Sequence, residues 1–171
     1  RYNHYTKLLH QGNREDLYEE NKQHKIAAEE YGMIFSRMDY QNASDFKYAL
    51  VDLNKDGQDE LLIGDEKFVS AIYYLKNQKP SLLHTAYVAS AGGFRSGFVI
   101  YENGQVSYAD WQSTRPEMNL SLYSFDKNGV QKVKEATIQI GGNEKAEQVL
   151  DISSEKLDLS NIDWKELNPA N

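Results

Sequence analysis

The chain is 171 residues long, with a net charge of −7, no cysteine and 40% hydrophobic residues. That length fits one domain, 1–171, able to bury its own core. The acidic balance excludes a nucleic-acid partner held through its phosphates, which needs clustered Lys and Arg, and the missing cysteines exclude disulfides, thiolate metal sites and Cys nucleophiles.

In chain order, the first forty residues read as helical. Tyr2, Tyr5, Leu8 and Leu9 fall at helical spacing, and Gly12-Asn13 supplies a stop. Leu17, Ile26, Ala27, Tyr31, Ile34, Phe35 and Met38 continue an apolar stripe, so a helical segment is expected over 1–40. From Phe46 onward, short runs rich in Tyr, Val, Ile and Phe alternate with turn clusters at roughly ten-residue intervals, the texture of an antiparallel β-meander over 46–152. Strands are expected near 47–53, 59–64, 68–76, 82–89, 97–102, 105–111, 119–126 and 131–140. Asn103-Gly104 is the strongest hairpin signal and predicts a type I′ turn. Asn77, Asn103 and Asn128 each follow a Tyr- or Phe-bearing strand at a spacing of about 25 residues, which reads as a regular meander of equal strands in preference to a propeller-like array. Ser160 and Asp163 resemble a capping box ahead of Trp164 and Leu167, predicting a short helix over 160–168 stopped by Pro169. The expected class is therefore α+β: a helical segment packed on a curved, barrel- or propeller-like meander, with a short C-terminal helix.

One stretch is chemically more specific. Asp52, Asn54 and Asp56 bear oxygens at alternate positions, Gly57 permits a sharp bend, and Gln58 and Glu60 follow. Calcium takes six to eight oxygens at about 2.3–2.6 Å, and this run begins as an EF-hand loop does. It departs from one at Ile63, where a bidentate Glu belongs, and in its β-prone flanks. The reading is a weak calcium loop at the tip of a β-hairpin, with Asp52, Asn54, Asp56, Gln58 and Glu60 as ligands. A metal-free turn held by Asx hydrogen bonds is the other reading of the same residues.

The run from Tyr48 to Gly64 resembles a signature, Y-A-L-x-D-x-N-x-D-G-x-x-E-L-L-I, of uncharacterised streptococcal-type surface lipoproteins of Gram-positive bacteria. Gly92-Gly93 and the hairpin from Tyr101 to Val106 extend the likeness over about residues 40–130. It is also similar to the loops of FG-GAP-type and dockerin-type modules, although a second dockerin repeat is missing. The resemblance implies secretion, a lipid anchor upstream and no established activity. The start at Arg1 rather than Met agrees with a signal or anchor segment having been removed. Membrane attachment is then expected only through that anchor, since no apolar run approaches the roughly 20 residues a span needs.

Other chemistry has less support. His4, His10, His24 and His84 form no zinc-hydrolase pattern and read as surface or cap residues. In the glycine-rich run 89–97, Arg95 offers a seat for an anion, but no P-loop lysine is present. Asp110 and Glu117 flank Trp111, the best case for a glycosidase built on paired carboxylates. The leading expectation is a non-enzymatic surface module that contacts a protein or a cell-wall ligand. The alternative is a cell-wall carbohydrate-active enzyme.

Overall fold

The computed structural model describes residues 47–86 and 94–166. The helical segment expected over 1–40, with His4, His10 and His24, lies outside the described residues, as do Gly92-Gly93 and Pro169. Strands make up 56% of what is described and helix about 6%, so the α+β expectation is replaced by a mostly-β fold.

The strands are β1 (Lys47–Val51), β2 (Glu60–Gly64), β3 (Val69–Lys76), β4 (Lys79–Thr85), β5 (Phe94–Ile100), β6 (Val106–Gln112), β7 (Glu117–Asp126), β8 (Gly129–Gln139) and β9 (Lys165–Glu166). Each of the eight sequence-expected strands has a counterpart among the first eight. They do not form one curved sheet. One antiparallel sheet has the order β4-β3-β2-β1-β9 and a second has the order β5-β6-β7-β8, with no closed barrel. Strands β1 to β4 and β5 to β8 are each a meander of neighbouring hairpins; the chain changes sheets between β4 and β5 and returns to the first sheet at β9.

The two sheets pack face to face. Leu53, Leu62, Val69 and Ile72 of the first meet Ile100, Val106 and Phe125 of the second in one buried cluster. Burying such side chains supplies about 1.5–3 kcal/mol each before chain entropy is counted. The opposite face of the second sheet is covered as well. Leu120, Leu122 and Ile138 pack against Leu150, which follows a one-turn helix, α1 (Ala146–Val149). A single turn gives no helical periodicity in the sequence, and α1 was not expected.

The C-terminal helix expected over 160–168 is absent from its described part. A 3-10 turn at Leu159–Asn161 is followed by β9, which pairs with β1. Asp158 accounts for the difference, because its carboxylate accepts from both the backbone N and the hydroxyl of Ser160, the intended cap. Trp164 donates Nε1–H to the Leu159 carbonyl and packs on the inter-sheet cluster. Tertiary docking and strand pairing win over a helix too short to persist alone.

The three asparagine turns prove inequivalent, which favours an ordinary meander over a repeat. At Asn77-Gln78 both residues have positive φ, 52° and 62°, closing β3 onto β4 as a type I′ turn does. At Asn103-Gly104 only Gly104 is left-handed, with φ 82°. Gly104 N donates to Tyr101 O and Tyr101 N to Gln105 O, so this hairpin is a type I turn with a glycine bulge rather than the expected type I′. At Asn128 the backbone N instead donates to the Asp126 carboxylate. Pro80, expected to lie before the strand, lies within β4, which is tolerated because β4 is an edge strand.

Gln78 holds a left-handed conformation that costs a non-glycine residue roughly 1–2 kcal/mol. Gln78→Gly is therefore expected to raise stability by about 0.5–1 kcal/mol after its entropy cost, read as a higher urea midpoint at unchanged m-value. A lower midpoint would show that the Gln78 side chain contributes more than its backbone strain removes.

Candidate functional site: an acidic clasp and a polar groove

The acidic loop links β1 to β2 as a hairpin tip, with Val51 paired to Glu60 across its base. Lys55 and Gly57 both take positive φ, 60° and 88°, and fold the backbone back over Asp52. The Asp52 carboxylate accepts from Asp56 N at 3.0 Å and Gly57 N at 2.8 Å. Asp56 in turn accepts from Gln58 N at 2.9 Å. These are Asx-type bonds, and they satisfy backbone amides that a tight loop would otherwise leave without partners.

Asn54 reaches further. Its Oδ1 accepts from Asp56 N at 3.3 Å, while Nδ2 donates to Asp56 Oδ2 and to the Phe125 carbonyl, both at 2.9 Å. Phe125 belongs to β7, so Asn54 ties the loop of one sheet to a strand of the other. Gly104 sits against the same loop: a Cβ there would lie 2.5 Å from Leu53 O and 2.8 Å from Asn54 Cα, closer than atoms can pack. The loop is thus a clasp between the sheets, a role the sequence pattern gave no means to foresee.

Glu60 is the buried member, 2% exposed, and its Oε2 accepts from Leu53 N at 3.1 Å. Burial pushes its carboxyl up to about 7, with the Leu53 hydrogen bond opposing and the charges of Asp56 and Asp52 adding to the rise. Among the described residues no salt bridge reaches Asp52, Asp56 or Glu60.

As ligands for a cation, the five expected residues are unequal. Asp52 and Asp56 each keep lone pairs beyond those given to backbone amides. Asn54 has its amide oxygen engaged by the Asp56 backbone N–H and its amide nitrogen by the Asp56 carboxylate and the second sheet. Gln58 is tied into the loop through its backbone N–H, and Glu60 is turned toward Leu53. Among the described residues no three His, Cys, Asp or Glu side chains are gathered closely enough to form a metal cluster. The residues fit a weak, partial oxygen site better than a closed cage.

A second feature lies along the inner face of the second sheet. Register places Val106, Tyr108 and Asp110 of β6 on one face with Asn119, Ser121, Tyr123 and Phe125 of β7. Near Phe125 this face is apolar and covered by the first sheet. Beyond Tyr108 and Tyr123 it turns polar and forms the floor of an open groove of about 530 Å³. The wall is β4. His84 stacks on Tyr108 with centroids 4.2 Å apart and planes 9° from parallel, and its Nε2 lies 2.8 Å from the Tyr123 hydroxyl. The Thr85 carbonyl accepts from Ser96 Oγ and Tyr108 OH, anchoring that edge strand to the floor.

Along the floor runs a hydrogen-bonded row. Thr137 Oγ1 donates to Asn119 Oδ1 at 3.3 Å, and Asn119 Nδ2 donates to Asp110 Oδ1 at 3.1 Å. Lys132 pairs with Glu135 across the bulge in β8, so these two charges cancel at the rim. Of these residues the sequence singled out Asp110 alone for chemistry. His84, expected as a surface or cap residue, is part-buried in an aromatic stack. A usable signal existed in the switch from apolar to polar at period two, along both β6 and β7, but reading it needs the register.

Of the paired-carboxylate arrangement, the two acids share a face and the tryptophan does not. Asp110 and Glu117 share the groove face by strand alternation, whereas Trp111 pairs with Met118 and points to the opposite face. Arg95 is likewise on that opposite face, across from Trp111, and its Nε is buried with no hydrogen-bond partner among the described residues. Compared with family models, curated proteins and solved structures, the chain matches none.

Because the folded Glu60 value lies above the ordinary 4.5, folding favours the protonated form. Its contribution is full below about pH 4.5 and is lost as pH rises through about 7. Glu60→Gln keeps an acceptor for Leu53 N–H and stays neutral. In EDTA, the variant is expected to match wild type near pH 4.5 and to exceed it above pH 7.5 by about 1–2 kcal/mol, after allowance for solvent screening. Parallel urea midpoints at both pH values would contradict a desolvated carboxyl at this position.

Proposed function

We propose that this chain is an extracellular, surface-anchored binding module without catalytic activity, seating its ligand in the groove of the second sheet and taking calcium weakly at the acidic loop. The observation that carries the reading is the groove itself: a concave, largely preformed site with an aromatic wall and a few converging polar groups, of the size that small-molecule and cofactor sites have. The surface assignment rests on the likeness of Tyr48 to Gly64 to Gram-positive lipoprotein sequences, with a lipid anchor upstream as the sole membrane attachment. The partner is a cell-wall component or a surface protein.

Calcium is supported by electrostatics as well as by pattern. The charges of Asp56 and Asp52 both act on Glu60, and among the described residues no salt bridge reaches any of the three. A bound cation would relieve that repulsion, with Asp52 and Asp56 supplying the oxygens that have capacity left. Incomplete coordination puts the affinity in the weak range of extracellular modules, about 10⁻⁴–10⁻³ M. By calorimetry, EDTA-stripped protein is expected to give a saturable heat with millimolar calcium, and Asp56→Ala none. A wild-type trace without heat removes calcium from the reading.

The binding reading is tested by incubating tagged protein with purified Gram-positive cell-wall fragments. Recovery above a mock surface is expected, and it should fall when Asp110 or Asn119 is replaced. Recovery no better than the mock for both cell walls and surface-protein extracts would end the proposal.

A further inference from the structure

The groove floor specifies what it can hold. The row spends one N–H of the Asn119 amide and one oxygen of the Asp110 carboxylate. That leaves a second Asn119 N–H and the Asp110 Oδ2, a donor and an acceptor on two bonded neighbours. The Asp110 carboxylate, which can only accept, fixes which way the Asn119 amide faces, and the Thr137 hydroxyl then donates to the amide oxygen. Adjacent donor and acceptor groups are what a pair of neighbouring hydroxyls needs, since each hydroxyl both gives and takes a hydrogen bond. The wall adds the half-buried His84 ring, held by its stack on Tyr108 and by the Tyr123 hydroxyl.

Charge narrows the choice. Lys132 and Glu135 neutralise each other, so Asp110 leaves the groove with net negative character. Phosphates, sulfates and nucleic acids are repelled by that carboxylate. Lipids and steroids are disfavoured because the floor offers hydroxyls, amide and carboxylate where they need an apolar lining. The groove is also open, which suits a chain that runs through it.

We infer that the groove formed by β4, β6, β7 and β8 binds a neutral oligosaccharide, with Asp110 and Asn119 chelating two neighbouring hydroxyls beside the His84 wall. This names the ligand class of the binding module proposed above and rests on that reading, but not on calcium at the loop.

The test is a calorimetric titration, at millimolar sugar, of a panel of neutral trisaccharides: cellotriose, maltotriose, mannotriose and chitotriose. Each is run in EDTA and again in calcium, against wild type, Asp110→Asn and Asn119→Ala. Both substituted positions are surface-accessible, and thermal melts close to wild type confirm that the variants fold. At least one trisaccharide is expected to bind wild type in both buffers and to bind each variant at least tenfold more weakly, about 1.4 kcal/mol. Binding that neither substitution weakens would place the sugar elsewhere and overturn the inference. So would failure of the whole panel while cell-wall recovery persists, an outcome that spares the binding-module reading. Displacement of cell-wall fragments by short peptides, with no effect of the trisaccharides, would assign the groove to protein instead.

Discussion

The contact between the two sheets is the constraint on which the rest of the molecule depends, and it is only partly hydrophobic. Leu53, Leu62, Val69 and Ile72 meet Ile100, Val106 and Phe125 across a buried layer, but such a layer is non-directional and tolerates sliding. What fixes the alignment is a small set of directed contacts. Asn54 donates to the Phe125 carbonyl, the loop backbone fits against Gly104 with no room for a Cβ, and Thr85 accepts from Ser96 and Tyr108. Two of these lie at the loop and one at β4, so the sheets are pinned at separated points. The C-terminal stretch adds a strap: Leu157 N donates to Ile100 O in the second sheet, and β9 then joins β1 in the first.

From that alignment the groove follows geometrically. The inner face of the second sheet extends further than the first sheet covers, and β4 is the edge at which the cover stops. On the covered part of β6 and β7 stand Val106 and Phe125; past the edge stand Asp110 and Asn119. The same strands carry both, and alternation keeps all four on one face. A polar residue under the cover would need a buried partner, and an apolar one beyond it would gain little from burial. The chemistry of the groove is therefore written by the position of an edge strand that itself contributes His84 to the lining.

Legibility of the sequence divides along the same line between local and long-range physics. Strand positions were readable because period-two alternation and turn residues are local signals. Residues 47–64, where β1, the loop and β2 fall, were placed within two residues at each end. The split into two sheets was not readable, since nothing in a meander's own pattern says where pairing stops. The expected C-terminal helix failed for a related reason. Ser160 does look like a cap, but Asp158 captures it, and Trp164 gains more by docking than one helical turn would return. Asn103-Gly104 marked a hairpin correctly and its turn type incorrectly, because Gly104 alone takes the left-handed conformation there. At the loop, the five oxygen-bearing residues were identified from spacing. Their unequal roles were not, because Asn54 is oriented by a carbonyl that lies 71 positions away in the chain.

The loop and the groove sit toward opposite ends of β7. Asn54 engages Phe125 near its C-terminal end, whereas the polar row uses Asn119 near its beginning. Six residues of extended chain separate these points by about 20 Å, too far for a cation at the loop to touch a ligand in the groove. Any influence of one on the other must pass through the alignment of the sheets, because Asn54 and the β4 contacts hold the same two layers together. Tightening the clasp would steady the second sheet against the first and hold the His84 wall at its distance from the floor. A purely electrostatic influence would be screened over that distance, since it exceeds the Debye length of about 8 Å at physiological ionic strength. The division leaves the acidic loop with a mechanical task, holding the two sheets in alignment, that it performs through its hydrogen bonds alone.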